Sequence, residues 1–405
     1  MDYFARQNMI ISPETAQYIR DTRILCIGAG AGGNEVLKNL VLMGFGHITI
    51  VDFDSVEDSN LSRTILFRKE DIGKSKALAA AERLKEMALH DSPEITGLHG
   101  NIMTDFGKGL FMEHDIVLCC VDTLQARVYI NDWCVRTKTP FFEMGFADYT
   151  VDVSFFSPLG KYPNLEDDFP VCFRDDMGYV NISNPSDDHR NSCSNFKVHD
   201  TELAKIPTIQ VSAAMAGTLM ATELVKFLSN MDTIRNKMLM FYGRTCETQL
   251  LNLARNPECE IHKEKMPIME VTANTDMTIG DLLTILKEQT KMVPLLHLPD
   301  EFVLTSTCQS CGATVEYNMR RNEIWNEQRW CDTCKKNYPD YENRLAYGLN
   351  LNVIPQEVSL DMDGDILQRK LKDVGVPEND ILEVILIDSE NNYQSIFIYL
   401  KNKLL

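Results

Sequence analysis

No stretch of about 20 consecutive apolar residues is visible in the chain, and neither a secretory leader nor a lipidation motif stands out, so no membrane association is expected. Internal repeats, coiled-coil heptads and low-complexity tracts are also missing, which excludes solenoid, fibrous and largely disordered proteins. Positive charge is scarce. Against 59 Asp and Glu the chain has 40 Lys and Arg, a net charge of -19 with a pI near 4.9. A phosphate backbone would be repelled outside local basic patches, so no nucleic-acid partner is expected, and basic protein surfaces suit the chain better. With no leader in view, a cytoplasmic setting is expected, where the 12 cysteines are free thiols or metal ligands and not a disulfide framework.

The 405 residues leave room for one large α/β domain and one or two small ones. Arg23-Ile-Leu-Cys-Ile27 reads as a buried parallel strand, running through Gly28-Ala-Gly-Ala-Gly-Gly33 into a helical stretch from Asn34 to Met43. Gly28, Gly30 and Gly33 let the backbone turn tightly and present amides to phosphate oxygens at the positive end of the helix dipole. A second apolar run, His47 to Val51, ends at Asp52-Phe-Asp54, where a carboxylate about 20 residues past the glycines can accept from ribose hydroxyls. Taken alone, these features fit NAD or FAD as well as any other nucleotide.

Asn60, Arg63, Lys76 and Asp122 shift the balance toward a triphosphate. They offer donors, two cations and a carboxylate suited to Mg2+, more charge than a dinucleotide requires. Arg63 or Lys76 alone would pass for a solvated surface charge; it is the ensemble that argues for function. Asp122 closes the apolar run Asp115 to Val121, so it is expected at the carboxyl end of a parallel strand, where such sheets bind ligands.

The spans Asp52-Phe-Asp-Ser-Val-Glu-Asp-Ser-Asn-Leu-Ser-Arg63 and Asp71-Ile-Gly-Lys-Ser-Lys76 resemble the adenylation domain of the E1 / MoeB / ThiF superfamily. Tyr3-Phe-Ala-Arg-Gln7 is similar to that group's Tyr-x-x-Arg-Gln element, which implies that Arg6 acts as a finger reaching the partner's ATP in a homodimer. Asp122-Thr-Leu-Gln-Ala-Arg127 resembles its Asp-Asn-x-x-x-Arg element, and Ile206-Pro-Thr208 leads into a helix from Val211 to Leu228. Thr123 and Thr64 stand where the group usually has Asn and Gln. The resemblance implies a Rossmann-like α/β adenylation domain over residues 1–262, with a crossover loop at 160–207.

What the resemblance implies chemically is ATP-dependent adenylation of a carboxylate, with Mg2+ and the cations Arg6, Arg63 and Lys76 offsetting charge as pyrophosphate leaves. Two continuations stay open. In E1 enzymes a cysteine of the crossover loop captures the acyl group of a ubiquitin-like protein as a thioester, and an E2-like carrier receives it. Cys193 occupies that position, with Cys172 as the alternative. In MoeB- and ThiF-type enzymes a sulfur donor takes the acyl adenylate of a sulfur-carrier protein and no enzyme thioester forms. Many relatives also hold zinc between two Cys-x-x-Cys elements of this domain. Here Cys172 has no cysteine partner at that spacing and the later element is Cys259-x-x-His262, so that zinc site is expected to be degenerate. Cys26, Cys119, Cys120 and Cys134 lie in apolar patterns and are expected in the core.

Cys308-Gln-Ser-Cys311 and Cys331-Asp-Thr-Cys334 are a stronger metal signal, because four thiolates at that spacing close a tetrahedron round Zn2+. Trp325 and Trp330 are expected to cover this small ribbon, at 302–340. Around it, 266–405 reads as an α+β module that suits a ubiquitin-like fold. It comprises a strand from Pro267 to Ala273, a Thr-capped helix from Thr278 to Lys287 and a strand at Leu349 to Ile354, then a helix from Asp363 to Val374 and strands at Ile381 to Ile387 and Gln394 to Leu400.

Overall fold

The computed structural model describes residues 3–90, 92–158, 169–176, 208–263, 266–321, 324, 331, 333–334 and 349–402. Contacts divide the chain into two compact units. One comprises Met1–Phe106 with Leu110–Glu264, the other Gly107–Gly109 with Lys265–Leu405.

In chain order the first unit contains α1 (Pro13–Asp21), β1 (Arg23–Ile27), α2 (Ala31–Met43), β2 (His47–Asp52), α3 (Lys76–Met87), β3 (Glu94–His99), α4 (Leu110–Glu113), β4 (Ile116–Cys119), α5 (Leu124–Thr137), β5 (Phe141–Ala147) and β6 (Thr150–Phe156). It continues with α6 (Phe173–Asp176), α7 (Gln210–Leu228), β7 (Lys237–Tyr242), β8 (Glu247–Asn252) and α8 (Glu260–Lys263). The sheet runs β3-β2-β1-β4-β5-β6-β7-β8. Its first five strands are parallel and the last three antiparallel, so the switch point lies between β1 and β4, where connections leave in opposite directions.

Burial on both faces explains why the central strands read as continuous apolar runs. Ile24 and Cys26 of β1 join Ile48, Ile50, Ile116 and Leu118 in one core with residues of α2, α3 and α7, while Leu25 and Ile27, on the other side of the pleat, are equally buried. Cys26, Cys119 and Cys134 are core residues and Cys120 is half-buried against the same core. By length and composition α7 is apolar enough to cross a membrane, a pattern the sequence reading passed over. Half of it is buried: Gly217 abuts Glu35 and Val36 of α2, and the chain is apolar there because it packs on another helix.

The second unit holds β9 (Ile268–Thr272), α9 (Ile279–Thr290), β10 (Val293–His297), β11 (Phe302–Cys308), β12 (Thr314–Arg320), β13 (Leu349–Ile354), β14 (Glu357–Ser359), α10 (Gly364–Leu367), β15 (Ile381–Ile387) and β16 (Tyr393–Lys401). A five-stranded sheet, β14-β10-β15-β16-β9, covers α9, and a three-stranded antiparallel sheet, β12-β11-β13, carries the cysteine ribbon. The continuous helix expected from Asp363 to Val374 is instead broken in two. Residues between α10 and a 3-10 turn at Leu371–Val374 serve the start of α9: the Arg369 carbonyl accepts from the Ile279 amide at 2.9 Å, and Lys370 bridges to Thr278. Gly107–Gly109 belongs to this unit through Lys108, whose ammonium donates to both oxygens of buried Asp380 at 2.9 Å.

Candidate functional site

The turn after β1 is shaped by backbone contacts that exclude side chains. Gly28 has φ +99°, and a Cβ there would collide with the Cys120 carbonyl; a Cβ on Gly33 would collide with the carbonyl of Gly28 itself. Gly30 is the N-cap of α2 and makes no side-chain cap hydrogen bond, so the first amides of that helix have no side-chain acceptor from the cap and could serve an anion. Asp52 holds the turn. One of its oxygens accepts from the Ala29 amide at 2.7 Å and the other from the Asp54 amide at 2.8 Å. Burial raises the Asp52 carboxyl above its ordinary value, opposed by those two amides. Asn34, which the sequence gave no reason to single out, donates to the carbonyls of Ala29 and Gly30 and accepts from the Leu66 amide, linking the glycine turn to the loop that carries Asn60 and Arg63.

Charge gathers beside this turn. The Lys76 ammonium meets the Asp54 carboxylate at 2.7 Å, and its backbone amide donates to the Asp54 carbonyl, so the cation starts α3 next to the end of β2. Asn60 is buried and accepts from the Glu57 amide at 2.9 Å; Arg63 donates to the Ser59 carbonyl at 2.9 Å and stays half-exposed. Asp122 is exposed just beyond β4, on the switch-point side. Arg6 is exposed at the start of the N-terminal 3-10 turn.

Arg127 is buried and holds the strand ends below Asp122. It donates to the Val121 carbonyl at 3.0 Å and the Met144 carbonyl at 2.8 Å, and it pairs with Glu143 of β5, equally buried. Glu143 carries no motif, and only the pairing of β4 with β5 brings it to Arg127.

In the second unit the four ribbon cysteines converge. Cys308 and Cys334 sulfurs lie 3.8 Å apart, Cys311 and Cys331 sulfurs 3.5 Å apart, and all four fall within 4.8 Å of one another. Zinc–sulfur bonds of about 2.3 Å at tetrahedral angles require edges of roughly 3.8 Å, so the donor set fits zinc. The Cys311 amide chiefly draws the Cys308 thiol down to about 7, favouring a thiolate, while burial pushes Cys334 up to about 12. Trp325 and Trp330 lie outside the described residues.

The ThiF family matches residues 4–261, well over half of the chain. The chain belongs to the ThiF family. It is 40% identical over 145 residues to SUMO-activating enzyme subunit 2 of Dictyostelium discoideum, covering 36% of this chain and 22% of that protein. It is also 40% identical over 119 residues to the NEDD8-activating enzyme E1 catalytic subunit of Caenorhabditis elegans, covering 29% of this chain and 27% of that one. The match thus spans about a quarter of each relative's length. Among solved structures, Escherichia coli MccB with ATP shares 19% identity and a TM-score of 0.50 over 64% of this chain and 74% of that one, a likeness of fold.

Within this ThiF-family domain the cysteines separate sharply. Cys193 and all of the 160–207 crossover segment except residues 169–176 lie outside the described residues. Cys172, the alternative nucleophile, is fully buried, and its hydrogen bond to Cys259 together with burial pushes its thiol well up. A thiol so placed is a poor acceptor for a protein-borne acyl group. Cys172 has no cysteine at the Cys-x-x-Cys spacing, but the fold brings its sulfur to 3.9 Å from that of Cys259, with Asp175 and His262 completing the group. Asp175 stands where a Cys-x-x-Cys pair starting at Cys172 would have its second cysteine, a four-residue spacing visible in the sequence but not recognised because the residue is not a cysteine.

Proposed function

We propose that this chain adenylates the C-terminal carboxylate of a ubiquitin-like protein, captures the acyl group on Cys193 as a thioester, and passes it to an E2-like carrier. The observation that carries the first step is the bare N-terminus of α2, opened by Gly28 and Gly30, with Lys76 held to Asp54 just beyond β2 and Asp122 just beyond β4, the two parallel strands that flank β1. An ionised carboxylate needs no general base. Its oxygen forms a bond to the α-phosphorus of ATP while the bond from that phosphorus to the bridging oxygen breaks, and pyrophosphate departs with the electron pair. The amides of α2 orient the triphosphate, Lys76 and Arg63 offset its charge, and Asp54 steers Lys76. Asp122 would hold Mg2+, which supplies further charge neutralisation when bound. We place Arg6 of a second copy over the same site, in a homodimer. Cys308, Cys311, Cys331 and Cys334 would hold Zn2+ and so supply much of the ribbon's folding energy, in a module that we assign to recruiting the carrier.

The thioester and carrier steps draw on the E1 relatives and on the place of Cys193 in the crossover segment. The test incubates the protein with ATP, Mg2+ and candidate ubiquitin-like proteins, then follows ATP–pyrophosphate exchange and thiol-sensitive conjugates on non-reducing gels. Asp122→Ala should abolish exchange, and normal exchange in that variant would overturn the adenylation site. Cys193→Ala should keep exchange and lose the conjugate. Exchange without any conjugate in the unaltered protein would favour activation of a sulfur-carrier protein, with no enzyme thioester.

A further inference from the structure

The second cysteine cluster has the four-residue spacings of a zinc site, Cys172-x-x-Asp175 and Cys259-x-x-His262, and its two sulfurs lie 3.9 Å apart, a separation compatible with either a metal or a shared thiol proton. The other two members decide between these. His262 Nε2 and Asp175 Oδ2 are separated by 2.7 Å. Nitrogen and oxygen ligands each about 2.0 to 2.1 Å from a tetrahedral zinc would stand roughly 3.3 Å apart. The observed spacing is that of a charge-assisted hydrogen bond, with a proton between the atoms.

Asp175 is also already engaged. The oxygen facing His262 accepts from the Cys172 amide at 2.8 Å, and the other accepts from the Asn256 amide at 3.0 Å. A carboxylate oxygen offers about two lone-pair directions, so Oδ2 has none left for a metal. Both side chains are sealed: Asp175 is 0% and His262 5% exposed. Neighbouring contacts lock this arrangement. The Phe173 amide donates to Asn131 at 2.9 Å, and Arg174 clasps Asp132 with both arms of its guanidinium, fixing α6 on α5.

We infer that the Asp175–His262 hydrogen bond replaces the metal ion at this position, so that this part of the adenylation domain is closed without zinc and, among the described residues, the ribbon is left as the one structural metal site. The pair does what a metal would do. It ties the start of the crossover segment to the segment from Asn256 to Lys263, through contacts that need neither cation nor thiolates.

The test is metal analysis of the full-length protein produced with zinc in the medium. One zinc per chain is expected, kept in Cys259→Ser and His262→Gln and removed by Cys331→Ser, while Asp175→Cys, which restores the paired cysteine spacing, should raise the content to two. Two zinc ions in the unaltered protein, or one that leaves with Cys259→Ser and stays with Cys331→Ser, would overturn the inference. The unaltered protein suffices for the first reading if a variant fails to fold, and the Cys331→Ser arm reports the ribbon separately from the cluster.

Discussion

Two clusters of metal-ligand residues sit in one chain, and they solve the same problem with different chemistry. The ribbon brings four thiols together beside a three-stranded sheet whose outer strand, β12, buries little beyond Arg320. A sheet of that kind buries little by itself, and on the proposed reading a cation held by the four thiols would supply folding energy there. The Cys172 cluster instead sits between α5, α6 and α8 of a large domain, where burial is already supplied by the surrounding layers. There, a hydrogen bond in a dry pocket is enough. The contrast teaches that a four-residue ligand spacing identifies a place where two segments must be joined, and that the surroundings decide whether a metal is required.

The largest expected effect breaks the ribbon. Cys331→Ser should remove its metal, whose binding in small zinc modules is worth roughly 10–16 kcal/mol, and with it the hydrogen-exchange protection of β11 and β12. Unchanged protection there would mean that the ribbon folds without a cation. A smaller effect is expected at the other cluster: His262→Ala leaves a buried carboxylate short of one donor, a loss of about 1–3 kcal/mol readable in a denaturant midpoint. Neutral behaviour of that variant would place the closing energy elsewhere. The smallest effect concerns pH. Burial works to raise the Asp175 carboxyl, but hydrogen bonds from His262, Cys172 and Asn256 outweigh it and hold the group below its ordinary value. Its stabilising contribution is therefore complete above the unfolded value of about 3.9 and disappears as pH falls through the lower folded one. The stability gap between the unaltered protein and Asp175→Asn should be constant near neutrality and shrink below about pH 4; a gap that widens there would reverse the assigned direction.

Much of the local architecture of the candidate nucleotide site was legible from local sequence. Gly28, Gly30 and Gly33 between an apolar run and a helix can do little except make a tight turn at a helix N-terminus, and the structure gives each a steric or capping reason. The end of β2 at Asp52 follows from the same local rules of strand period, whereas the start of α3 at Lys76 under a Ser75 cap was not singled out in the sequence. Asp52 was expected at a ribose, and both its oxygens are engaged by backbone amides of the turn. Arg127 was noticed only as part of a resemblance, and Glu143 not at all. They lie 16 residues apart and meet because β4 pairs with β5. Asn34 was missed for a similar reason, since its acceptor bond reaches 32 residues along the chain to Leu66.

By itself, then, the sequence determined the strand and helix periods, the glycine turn and the cysteine pairs of the ribbon, because each rests on neighbours within a few residues and their backbone preferences. Tertiary structure alone decided that Cys172 is sealed from solvent, and that Asp175 meets His262 at hydrogen-bonding distance across 87 residues. Contacts at that range depend on how helices and strands pack. A burial that turns a ligand pattern into a proton-shared pair has no local signature.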